Sequence, residues 1–104
     1  MINFHPPAIE PNLKQLGRDQ KRILRQMARH KHIISLMIVH DDEHKEDICL
    51  QDEDGSNCFQ KIESLFLESM GKRGLFIQEV FTPSLHQTIV KFRLKSEVRN
   101  HFVN

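Results

Sequence analysis

The sequence predicts an α+β domain: helices packed on a four-stranded antiparallel sheet, with elements in the order α-β-β-α-β-β-α. Two stretches, 13–27 and 58–70, repeat apolar residues at intervals of three and four, as amphipathic helices do. Four short segments rich in β-branched residues fall into adjacent pairs separated by turn formers, as hairpins do. A length of 104 residues allows one compact domain with a true core, and not two.

Residues 1–11 contain Pro6, Pro7 and Pro11, which fix the backbone and remove donors, so they read as an extended N-terminal arm ahead of a single domain at 12–104. Asn12 is placed to cap the first helix, with Gln15 reaching back as in a capping box, and Leu13, Leu16, Ile23, Leu24 and Met27 form the apolar face. Gly17 falls inside that helix, at a cost of about 1 kcal/mol relative to alanine. Arg29, His30, Lys31 and His32 suit its last turn, where the dipole favours cations.

Residues 33–40, IISLMIVH, are apolar on both alternating faces and read as a central strand, and Ile48–Gln51 as its shorter hairpin partner. The segment DEDGS ends that strand, and Asp54 or Ser56 then caps a second helix bearing Cys58, Phe59, Ile62, Leu65, Phe66 and Met70, stopped by the glycines of GKRG. A second hairpin joins LFIQEVF (75–81) to HQTIVKFRLK (86–95) around Thr82–Leu85, and the tail from Ser96, with Val98 and Phe102 four apart, forms a short helix. The first and third strands are apolar on both faces, whereas the second and fourth carry charge on one. The expected strand order is therefore 2-1-3-4, with the charged strands at the edges.

Hydrophobic residues at 38% and charged residues at 28% are ordinary for a globular chain, and no apolar run is long enough to span a bilayer. MINFHPPAIE lacks the basic start and apolar stretch of a secretory signal, so a cytoplasmic location is expected. In a reducing compartment Cys49 and Cys58, which lack a Cys-x-x-Cys spacing, read as small core hydrophobes.

The net charge of +1 conceals a segregation. Residues 14–32 carry seven cations against Asp19, a net of +6, and residues 41–54 carry eight carboxylates against Lys45, a net of −7. At about 100° per residue, Lys14, Arg18, Lys21, Arg22, Arg25 and Arg29 share one arc of the first helix, opposite its apolar face. A solvated helix face ordinarily mixes signs to form i,i+4 pairs. This one aligns like charges, mostly arginine, whose planar fork grips phosphate or carboxylate. Lys91, Arg93 and Lys95 alternate along the fourth strand as a second basic row. If the first helix runs antiparallel to the first strand, the two acidic turns lie near its ends and partly neutralise them, which leaves Arg22 and Arg25 as the unpaired centre.

The acidic stretch HDDEHKED invites a metal-site reading through His40 and His44. However, His32 lies about 26 Å from His40 along an eight-residue strand and cannot join them. A calcium loop built on Gly55 would put Leu50 and Lys61 at ligand positions, and no nucleophile or acid–base pair has supporting partners. The expectation is therefore a non-enzymatic, cytoplasmic binding or regulatory protein without cofactor, catalytic residue or metal. Its basic residues Lys14, Arg18, Lys21, Arg22, Arg25, Arg29, Lys91, Arg93 and Lys95 meet a polyanion, nucleic acid first. The alternative is a protein–protein adaptor whose stripe meets an acidic protein surface. A homodimer is expected because the doubly apolar strands exceed what two helices cover; no membrane partner is expected.

Overall fold

The computed structural model describes residues 10–41 and 43–103. The expected arm, apart from Glu10 and Pro11, lies outside the described residues, as does Asp42. The elements are α1 (Arg18–His30), β1 (Ile33–Val39), β2 (Lys45–Gln51), β3 (Cys58–Lys61), α2 (Ser64–Gly71), β4 (Phe76–Ser84), β5 (Gln87–Leu94) and α3 (Ser96–Val103). The α+β class holds, but among the described residues the antiparallel sheet has five strands, ordered β3-β2-β1-β5-β4.

The sheet corrects two expectations. First, 58–61 is a strand, not the start of a helix. The Asp52 carboxylate accepts hydrogen bonds from Ser56 Oγ (2.8 Å), Asn57 N (3.1 Å) and Asn57 Nδ2 (2.9 Å), and Gly55 supplies a left-handed turn at φ 77°. The chain reverses there and β3 pairs with β2, so the second helix starts only at Ser64. Its buried residues are Leu67 and Met70, whereas Leu65 is 75% exposed.

Second, β2 and β5 are interior and β4 is an edge, the reverse of the expected placement. The reason is that, among the described residues, the sheet is covered on one side. Alternation sends Ile34, Leu36 and Ile38 of β1, Ile48 and Leu50 of β2, and Val90, Phe92 and Leu94 of β5 into one core with Ile23, Leu24 and Met27 of α1, Leu67 and Met70 of α2, and Val98 and Phe102 of α3. The opposite face, with Ser35, Met37, Ile89, Lys91 and Arg93, lies away from that core, so an interior strand can carry charge there. Apolar residues of β4, namely Ile77, Val80 and Phe81, are exposed instead.

Helix α1 also starts later than its periodicity suggests. Asn12 Oδ1 accepts from Lys14 N (3.0 Å) and Gln15 is left-handed (φ 57°), so 12–16 is a turn rather than helix. Arg73 secures it by donating to the carbonyls of Asn12 (3.2 Å) and Lys14 (2.6 Å). Gly17 is the N-cap, and its N–H donates to Gln20 Oε1 at 2.8 Å, half of a capping box since glycine has no side chain to return the bond. At that position the glycine costs little, unlike in a helix interior. The helix closes at Lys31, left-handed at φ 55°.

Cys49 and Cys58 are bonded to each other across β2 and β3, with Cα atoms 5.8 Å apart, which corrects their reading as separate core residues. The bond ties the edge strand β3 to the sheet. Among the described residues no helix is long and apolar enough to cross a membrane.

Candidate nucleic-acid interface

Arg18, Lys21, Arg22, Arg25 and Arg29 all lie on exposed positions of α1, because Ile23, Leu24, Met27 and Ala28 occupy its buried side. Lys14 is exposed in the preceding turn and not on the helix. Among the described residues the stripe has one ion pair, Arg22 Nε to Asp19 Oδ1 at 3.9 Å, long and solvent-exposed and therefore weak. Arg22 is thus not wholly unpaired, whereas Arg25 has no ion pair among the described residues.

Among the described residues the acidic turns make no ion pair with this helix. Glu43 pairs with Lys45 (2.9 Å), Asp47 with Lys61 (2.7 Å), and Glu53 with Arg93, all within the sheet and its turns. The second basic row is consumed likewise. Arg93 donates through Nε to Glu79 (2.6 Å) and through Nη1 to Glu53, a span that crosses β1 at the level of Ile33. Lys91 Nζ sits 5.2 Å from the centre of the Phe81 ring, and Lys95, between β5 and α3, is also engaged. Lys91 and Arg93 therefore lie on the sheet face turned away from the helices and do not join the stripe of α1.

In HDDEHKED, His40 Nε2 is hydrogen-bonded to Thr88 Oγ1 (2.9 Å), and Asp41 Oδ1 accepts from the backbone N–H of Glu43 and His44 (3.0 Å each). Among the described residues, no three His, Cys, Asp or Glu side chains converge as a metal would require.

What the stripe adjoins is a groove of about 450 Å³ lined by Arg22, Arg25, Gln26, Arg29, His30, His32 and Phe59. Three rings are stacked along it. The His32 and Phe59 centroids are 4.3 Å apart at an interplanar angle of 23°, and those of His30 and His32 are 5.4 Å apart at 29°. Phe59 reaches this position through a β-bulge: Gln60 pairs with Leu50 and Cys58 with Gln51, which leaves Phe59 as the extra residue on β3. Phe59 is 48% exposed. The groove residues Gln26, His30, His32 and Phe59 were not among those expected, because the apolar spacing assigned Phe59 to the buried face of a helix. The signal that finds it is Asp52–Asn57, a turn sequence long enough to start a hairpin rather than cap a helix.

Burial lowers the His32 pKa below the ordinary 6.5, the nearby His30 lowers it further, and Asp52 opposes both. The His32 Nδ1 lies 3.3 Å from Gln26 Nε2, within hydrogen-bonding distance. A histidine with a depressed folded value binds more protons when unfolded. Its stabilising contribution is therefore complete above 6.5 and falls away as the pH drops from there towards the folded value. NMR titration of the imidazoles is expected to put the His32 midpoint below 6.5, and a midpoint above it would contradict the stacked, partly desolvated placement.

Comparison with protein families, with curated proteins and with solved structures yields no match to this chain.

Proposed function

We propose that this is a non-enzymatic binding protein that docks the cationic side of α1 on a polyanion, with nucleic acid the ligand. The observation that carries the reading is how few counter-charges the stripe meets: among the described residues Arg18, Lys21, Arg25 and Arg29 have no ion pair, and Arg22 has only a long one to Asp19. Aligned like charges repel each other, a cost that an ordinary surface relieves with interleaved carboxylates and that a phosphate backbone relieves on binding.

The test is a salt titration. If four to six phosphates are contacted, log affinity for duplex DNA should fall against log salt with a slope of about −3.6 to −5.4. A slope near zero, or no binding to duplex or single strand at low salt, removes nucleic acid as the ligand.

A second reading is a self-associating adaptor, supported by β4. It is an edge strand of nine residues with Ile77, Val80 and Phe81 exposed, the kind of edge that pairs with another chain unless covered. In that case the stripe of α1 meets an acidic protein surface, and sedimentation shows a dimer instead of a nucleic-acid complex.

A further inference from the structure

The groove beside the stripe is more specific than a cationic surface requires. A ligand recognised only by its charge needs no aromatic ring, yet a β-bulge turns Phe59 out of the sheet and sets it beside Arg22, Arg25 and Arg29. One face of the ring lies against His32, at 4.3 Å and nearly parallel, and the residue as a whole is 48% exposed, which leaves the opposite face for a flat ligand. Behind it His32 is stacked in turn on His30, and the cystine between Cys58 and Cys49 anchors the residue before it.

We infer that this groove takes an unpaired nucleobase stacked on the face of Phe59 turned away from His32, with the adjoining phosphates on Arg22, Arg25 and Arg29, so that the ligand is single-stranded nucleic acid. Stacking on an aromatic ring requires a base free of its partner, and a duplex offers none except at its ends. The pairing of flat ring and planar guanidinium forks in one groove suits a chain that alternates base and phosphate. The open face of the sheet lacks that combination. Phe81 is exposed there, but Lys91 lies over its ring and Glu53 and Glu79 hold Arg93.

The inference rests on the polyanion reading, and one set of titrations separates the two. A labelled short oligothymidylate and a blunt duplex of equal length are titrated by fluorescence anisotropy with the parent protein, Phe59→Ala, Phe59→Leu and Arg25→Glu. The parent should prefer the single strand. Both Phe59 variants should lose about 5- to 100-fold in single-strand affinity while keeping their duplex affinity, and Arg25→Glu should weaken both ligands. Because leucine keeps the apolar bulk of the side chain without a π face, an equal loss in Phe59→Leu ascribes the effect to stacking rather than to packing against His32. A 2-aminopurine placed in the oligonucleotide should lose fluorescence on binding the parent and not on binding Phe59→Ala. If single strand and duplex bind alike and the Phe59 variants match the parent, the stacking site is overturned while the polyanion reading stands. If neither ligand binds at low salt, both fall.

Discussion

Phe92→Ala is expected to destabilise the protein by about 3–5 kcal/mol, a large part of the roughly 5–15 kcal/mol that holds a domain folded. Phe92 is 1% exposed at the middle of the interior strand β5, opposite Ile34, and makes an edge-to-face contact with Phe76 at a centroid distance of 5.8 Å. Its removal opens a cavity where the sheet meets the helices, and rigid neighbours on β1 and β4 limit the collapse that would fill it. Urea denaturation should show a lower midpoint at an unchanged m-value. A loss below about 1 kcal/mol would mean that β5 is not the strand beside β1, since an edge position would leave the ring partly in water.

Reversing Arg22 and Arg25 together to glutamate should leave the fold nearly as stable, within about 0.5 kcal/mol, because both positions are exposed and glutamate and arginine are comparable helix formers. Nucleic-acid affinity should fall at least about 100-fold at low salt, and the salt slope should become shallower by about two contacts. The change removes two cations from the centre of the stripe and sets two carboxylates facing the phosphates. Should the variant fold normally and bind as the parent does, the stripe is only a solvated helix face. Should the parent bind no nucleic acid and the variant lose a protein partner, the adaptor reading holds instead.

The helices were readable where one apolar face meets one core. The spacing of Ile23, Leu24 and Met27, or of Val98 and Phe102, has no other solution, and both sets are buried. The start of α1 is not readable because Asn12 with Gln15 three residues on has the fuller capping signature, whereas Gly17 offers only its N–H to Gln20, and the choice between them depends on Arg73, which lies far along the chain and gathers the carbonyls of the turn. Strand order was misread for a related reason. The charges on β5 resemble an edge signal, but Arg93 is held by Glu53 and Glu79 and Lys91 by Phe81, on a sheet face that carries no helix among the described residues. Ile77, Val80 and Phe81 of β4 have the pattern of a buried strand and are exposed at an edge, whereas Phe76 joins the core.

The candidate site was legible in its charge and not in its shape. Alternation around the helix axis is a local property, so the arc of Arg18, Lys21, Arg22, Arg25 and Arg29 could be read directly. Pairing is not local: the acidic turns turned out to serve Lys45, Lys61 and Arg93, which could be learned only from the sheet register. Phe59 was hidden by the same limit, since its exposure follows from a hairpin reversal set by the Asp52 carboxylate.

Mapping backbone amide shifts by NMR while a short single-stranded oligonucleotide is added tests the central claim most directly. The account predicts that the perturbed amides cluster along Arg18–Arg29 and at His32 and Phe59, with the exposed edge strand β4 and the face bearing Lys91 and Arg93 unchanged. Shifts confined to β4 or to that sheet face, or no shifts at low salt, would contradict it.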